Sequence, residues 1–177
     1  MAWQSRGLRG SSLEELINMT NEKYREHGLA LIQKIPTPIK PIKLDKEKGH
    51  ISLAYFEKSS TVDYIGVVQG IPVCFEAKET VKDYFPMQNI HPHQISFMQD
   101  FEKQGGIAFL IIDFTALNKT YFLPFKRVNE FFLKIQEGGR KRIPLSEFKD
   151  ENIISSKAGY FLHYLENLKQ FIVENNL

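Results

Sequence analysis

The stretch Ile107-Ala108-Phe109-Leu110-Ile111-Ile112 is the longest uninterrupted apolar run in the chain, and Asp113 ends it. A strand with one wet face alternates apolar and polar residues. This one does not, so Ile107 to Phe114 reads as a buried central strand that needs cover on both faces. The run is far too short for a transmembrane helix, which needs about 20 apolar residues. The chain has 177 residues, 42% hydrophobic and 25% charged. That is ordinary for a globular protein and is read as a single domain, 1–177.

Ser11 or Ser12 can cap a helix, with Glu14 or Glu15 three residues on, and Leu13, Leu16, Ile17, Thr20 and Tyr24 follow at helical spacing. Gly28 stops it. Leu29 to Ile35 reads as a short strand. Val62 to Val68 and Ile71 to Ala77 read as a strand pair joined at Gln69-Gly70. A helix follows over His91 to Lys103, with Ile95, Met98, Phe101 and Phe97 facing inward. Tyr121 to Leu123 is a strand closed by Pro124. Further helices are marked by Val128, Phe131, Phe132 and Ile135, and by Tyr160, Phe161, Tyr164, Leu165, Leu168, Phe171 and Ile172. The order is roughly αβββαββα, an α/β fold with a mixed β-sheet flanked by helices.

Pro36, Pro38 and Pro41 interrupt this pattern. Their spacing forbids a helix or a central strand and favours a stiff extended arm. The arm turns at Asp45 to Gly49 and returns along Ile51 to Phe56, a projecting stalk at about 36–56.

The net charge is only +2. The basic residues nonetheless fall in islands: Arg6 and Arg9, the arm lysines Lys40, Lys43, Lys46 and Lys48, and Arg140-Lys141-Arg142. Such islands form a phosphate-binding face or simply solvated loops. The single Cys74 excludes an intramolecular disulfide or a cysteine metal cluster, and Met1 to Arg6 holds no apolar stretch of signal-peptide length. The expected setting is reducing and cytoplasmic, with no membrane partner.

Asp63 precedes Phe75-Glu76-Ala77-Lys78 on the neighbouring strand of the hairpin. Glu76 and Lys78 lie two apart and share a face, while Phe75 and Ala77 point the other way. Two carboxylates close together repel unless a cation lies between them, and hard oxygen donors select Mg²⁺, with Mn²⁺ a substitute. A lysine beside such a metal orients water and stabilises phosphoryl charge. The set is a phosphodiester-hydrolysing site; the plain alternative is an exposed Glu76–Lys78 ion pair. His91 and His93, two apart before a helix, suit phosphate or capping contacts better than metal ligation.

Four blocks carry a resemblance: Arg6-Gly7 through Leu13-Glu14 to Thr20-Asn21; Lys34-Ile35-Pro36-Thr37-Pro38; Ser60-Thr61-Val62-Asp63-Tyr64-Ile65-Gly66 with Phe75-Glu76-Ala77-Lys78-Glu79-Thr80; and Phe85-Pro86 with His91-Pro92-His93-Gln94. Over about Arg6 to Pro124 the chain resembles the RecU-type Holliday junction resolvases, also called penicillin-binding protein-related factor A. The likeness implies a PD-(D/E)xK, restriction-endonuclease-like core. Asp63 and Glu76 would hold the metal, with the carbonyl of Ala77 completing its shell. Lys78 would be the catalytic lysine, and Gln94 and Glu14 would match further site positions. A first-turn glutamate favoured by the helix dipole is the alternative for Glu14. Val62 departs from the family's usual threonine.

The resemblance further implies a Mg²⁺-dependent, structure-selective endonuclease that resolves Holliday junctions by symmetric paired nicks in recombination and repair. A C2 homodimer would supply the two sites. The aromatic segments at Phe131-Phe132 and Tyr160 to Phe171 either contribute to that interface or pack on their own sheet. The stalk would enter the junction opening, its lysines on phosphates. Tyr55 and Phe56 would stack on unpaired bases or pack at the stalk's root. Recombinase and branch-migration proteins are candidate partners. The alternatives are a nuclease acting on another DNA form and a non-catalytic junction-binding factor.

Overall fold

The computed structural model describes residues 12–36, 38–45, 48–56 and 61–177, with the backbone alone at 44 and 56. Ser11, Arg6, Arg9, Lys46 and the Phe56 side chain lie outside the described residues. Helix α1 (Leu13–Glu26) starts on a complete capping box: the Ser12 hydroxyl accepts the Glu15 N–H at 3.3 Å, and the Glu15 carboxylate accepts the Ser12 N–H at 3.1 Å. The chain leaves it through Gly28 at φ +64°.

Five strands form the main sheet in the order β1 (Ala30–Lys34), β4 (Tyr64–Val68), β5 (Ile71–Thr80), β7 (Ile107–Phe114) and β8 (Lys119–Pro124). β5 and β7 run parallel and the other neighbours antiparallel. The parallel pair requires a crossover, and helix α2 (Pro92–Lys103) supplies it. Every residue of β7 except Asp113 is buried. Ile107, Phe109 and Ile111 meet Ile17 and Tyr24 of α1, and Tyr164 and Leu168 of α4 (Tyr164–Asn175). Ala108, Leu110 and Ile112 meet Ile95 and Met98 of α2, and Val128 of α3 (Phe125–Gln136). The expected mixed sheet between helices is therefore the observed one.

Rings tie the sheet together across its strands. Tyr64, Phe75, Phe109 and Phe122 follow one another across four strands at centroid separations of 4.7, 4.7 and 4.6 Å. Each such pair contributes about 0.5–1.5 kcal/mol beyond its area burial. The β4–β5 turn is Gln69-Gly70, both at positive φ (50° and 89°), as a two-residue hairpin turn demands. Gly66 sits opposite Ile32 of β1. A Cβ there would lie 2.2 Å from the Leu31 carbonyl oxygen, so the strands can pair only around a glycine.

β2 (Ile39–Asp45) and β3 (His50–Phe56) form a separate two-stranded antiparallel sheet with a register shift between Pro41 and Lys43. Ile39, Ile42, Ile51, Leu53 and Tyr55 are all about half exposed or more.

Three features differ from the sequence reading. The last helix starts at Tyr164, not Tyr160: Ala158 and Gly159 both take positive φ, and Tyr160 bridges back to Lys157. Tyr160, Leu162, Tyr164 and Leu168 are buried in their own core, so these residues are not spare surface. Asp63 precedes β4 instead of lying in it. A small sheet of β6 (Tyr84–Pro86) and β9 (Arg142–Pro144) was not expected, and it takes Arg142 out of the loop. Among the described residues no helix is long and apolar enough to cross a membrane.

Candidate active site

The ladder between β4 and β5 ends at the pair Tyr64–Phe75. Beyond it Glu76 to Thr80 remain paired with β7 alone, and the two strands part. Asp63 and Glu76 fill this fork. The Asp63 N–H donates to Glu76 Oε2 at 3.0 Å, and the Ala77 N–H donates to Asp63 Oδ2 at 2.9 Å. The Asp63 carbonyl accepts the Ile35 N–H at 2.8 Å. Backbone groups that a longer ladder would have used instead orient the two carboxylates.

Glu76 Oε1 accepts Lys78 Nζ at 2.6 Å and Gln94 Nε2 at 2.5 Å. Glu76 is completely buried, so the Glu76–Lys78 pair is no surface bridge. Burial first, and then the charge of Asp63, push the Glu76 carboxyl up to about 7; Lys78 pulls the other way. Gln94 is buried at the start of α2, and its Oε1 accepts the His91 N–H at 2.9 Å. One amide thus fixes both β5 at Glu76 and the helix entrance. The rings of His91 and His93 stack 5.4 Å apart at that entrance.

Glu14 lies at the edge of the site. Its carboxylate is ion-paired with Lys34 of β1, and its carbonyl accepts the Tyr64 hydroxyl at 3.4 Å. Burial, then the charges of Glu14 and Asp63, raise the Tyr64 hydroxyl above its ordinary range. Val62 is fully buried on the α2 side among Cys74, Phe85 and Met87, a core position and not a ligand position. Asp63, Glu76, Ala77, Lys78 and Gln94 are therefore brought together, with Glu14 beside them.

Three of the basic residues named from the sequence, Lys40, Lys43 and Lys48, are exposed on the stalk with Tyr55, and Arg140, Lys141 and Arg142 are exposed at the approach to β9. Sequence reasoning missed Glu79, whose Oε1 accepts the Leu13 N–H at 2.9 Å and so pins the start of α1 to the end of β5. Only its place beside Lys78 hinted at this, since 66 residues separate the partners.

The carboxylates suit a hard divalent cation. Both offer oxygen, each disfavours the other's charge, and Lys78 is the one cation hydrogen-bonded to them among the described residues. Among the described residues no three His, Cys, Asp or Glu side chains cluster as a metal site. A divalent cation here would rest on two carboxylates and a backbone carbonyl, with water completing its shell.

The chain is similar to several known proteins. The chain is 47% identical over 165 residues to a Holliday junction resolvase RecU of Pediococcus pentosaceus, covering 91% of this chain and 79% of that one. A relative of the same name from Geobacillus sp. is 46% identical over 147 residues, covering 81% and 73%. One from Listeria innocua is 42% identical over 161 residues, covering 89% and 79%. Among solved structures, the Archaeoglobus fulgidus Hjc, a Holliday junction resolvase, aligns with a TM-score of 0.41 at 7% identity over 64% of this chain and 77% of its own. The family model described as "Recombination protein U" matches residues 8–170, and the chain belongs to that family.

Proposed function

We propose that the chain is a divalent-metal-dependent endonuclease that resolves Holliday junctions, built on a PD-(D/E)xK core. The observation that carries this is the fork between β4 and β5, where Asp63, Glu76 and Lys78 are held together by backbone and side-chain hydrogen bonds. Asp63 and Glu76 hold the metal. Ala77, whose N–H already faces the fork, turns its carbonyl to the same strand edge and adds a third oxygen. The chemistry that Mg²⁺ or Mn²⁺ supplies there is screening of the scissile phosphate and easier deprotonation of water.

Lys78, a partly exposed cation anchored on Glu76, orients the attacking water and stabilises charge on the phosphoryl oxygens. Gln94 keeps Glu76 facing the fork. Glu14 holds Lys34 at the rim. The stalk, with Lys40, Lys43, Lys48 and Tyr55 exposed, selects the open centre of a four-way junction by shape. A C2 homodimer places two such sites on strands of like polarity and gives paired symmetric nicks. The expected setting is the cytoplasm, beside recombinase and branch-migration partners.

The test is cleavage of a synthetic four-way junction, with and without Mg²⁺, by the parent chain and by Asp63→Asn. Paired nicks that need both Mg²⁺ and Asp63 support the reading. Equal cutting of plain duplex or flaps reassigns the substrate. Tight junction binding with no cleavage in either Mg²⁺ or Mn²⁺ overturns the enzyme reading.

A further inference from the structure

A second charged surface lies beside the site. β6 and β9 are joined across a long stretch of sequence: Tyr84 pairs with Pro144, Phe85 with Ile143, Pro86 with Arg142. Phe85 and Ile143 are fully buried on the α2 side and anchor the pair. Alternation then turns Tyr84 and Arg142 outward. The Met87 N–H donates to the Lys141 carbonyl at 3.1 Å and fixes the preceding residue too. Upstream, Gly139 closes the end of α3, its N–H donating to the Lys134 carbonyl at 2.8 Å, in a space where a Cβ would lie 2.6 Å from that oxygen. Arg140-Lys141-Arg142 is thus held at both ends.

These residues line a groove of about 390 Å³ with Lys82, Tyr84, Pro86 and Gln88, and no carboxylate among the described residues lines it. The Lys82 ammonium and the Arg142 guanidinium each lie 5.1 Å from the Tyr84 ring centroid. A ring positions a cation without neutralising it, as a carboxylate would. None of the ion pairs formed among the described residues includes Lys82, Arg140, Lys141 or Arg142, and neighbouring Asp83 forms none with them. Among the described residues this leaves four positive charges along the groove without an ion-pair partner.

The groove lies close to the site along β5. An adjoining depression shares Lys82, Pro86 and Gln88 and reaches Glu79 and Thr80, directly after Lys78. Lys82 follows Lys78 by four residues, so their backbones are at most about 14 Å apart. At a rise of about 3.4 Å per nucleotide along one strand, that reaches about four nucleotides from the cut.

We infer that this groove is a phosphate clamp for a duplex arm: Lys82, Arg140, Lys141 and Arg142 hold the DNA backbone beside the scissile bond and set where along the arm it lies. The proposal rests on the nuclease reading for its placement, but its test does not. Binding of the parent and of the triple variant Lys82→Ala, Arg140→Ala, Lys141→Ala to plain duplex and to a four-way junction is measured across a salt series. Arg142 is left in place to keep the Tyr84 stack. On both DNAs the slope of log affinity against log salt should fall by roughly three, about one per lost phosphate contact. The charge-keeping variant Lys141→Arg should leave it unchanged, and equal thermal unfolding of all variants checks the fold. An unchanged slope on duplex overturns the clamp even if junctions are still cut. A reduced slope with no junction cleavage by the parent keeps the clamp and overturns the resolvase. A parent with no affinity for either DNA overturns both.

Discussion

Glu76 should make the metal-free protein less stable as pH rises. Its carboxyl has an ordinary value of 4.5, and burial, then the charge of Asp63, push it up to about 7 in the fold. Between these values the folded chain binds the extra proton. Stability is therefore highest below the unfolded value and is lost as pH climbs through the window. At about 1.4 kcal/mol per pH unit, the rise from 4.5 to about 7 costs about 3 kcal/mol at neutral pH and above. The opposite trend holds for a carboxylate whose pKa is depressed. The assay is urea unfolding of the chelator-treated protein at several values from about pH 5 to about pH 8. The parent should lose stability over that range relative to Glu76→Gln. The glutamine variant forfeits an acceptor and shifts the baseline at every pH, so the difference in slope is the readout. Saturating Mg²⁺ should restore the parent at the alkaline end, by about 2.7 kcal/mol at a hundredfold excess over its dissociation constant, and leave Glu76→Gln unmoved. Parallel pH profiles for parent and variant would refute the assignment of a buried, cation-seeking carboxylate.

Gln94→Ala removes the 2.5 Å bond to Glu76 and the acceptor of the His91 N–H. Junction cleavage should fall about 10–100-fold and the Mg²⁺ requirement should rise, as metal titration of the cleavage rate will show. Gly66→Ala sets a Cβ 2.2 Å from the Leu31 carbonyl oxygen, and should cost about 3 kcal/mol in urea unfolding as β1 is pushed from β4. Lys40→Ala with Lys43→Ala, both exposed on the stalk, should leave thermal unfolding unchanged and reduce the preference for junction over duplex in competition binding.

The chain announces its fold where many residues agree. Ile107 to Phe114 could be only a covered strand, and Ser12 with Glu15 only a helix start. Gln69-Gly70 between two apolar segments marks the hairpin that carries Asp63 and Glu76. Where elements are short or distant, the signal is absent. Tyr84–Pro86 and Arg142–Pro144 are three residues each, too short for any periodicity, and nothing local says they pair. Tyr160 and Phe161 recur at helical spacing with Tyr164, yet a turn through Ala158 and Gly159 governs the backbone. The depth of Glu76 was equally hidden, because an alternation pattern does not show that α2 brings Gln94 down over it.

The stalk hairpin has a consequence for solubility. Among the described residues neither β2 nor β3 pairs with a third strand, so each has one open edge of peptide groups, the template on which sheets of separate molecules zip together. Pro41 has no N–H to offer, and the register slips between it and Lys43. Lysines at 40 and 43 add repulsion between copies. These features guard the edge against self-assembly while the exposed isoleucines and Leu53 keep their contact surface. A smooth Pro41→Val stalk would trade that safeguard for better pairing, and copies of the protein would begin to recruit one another.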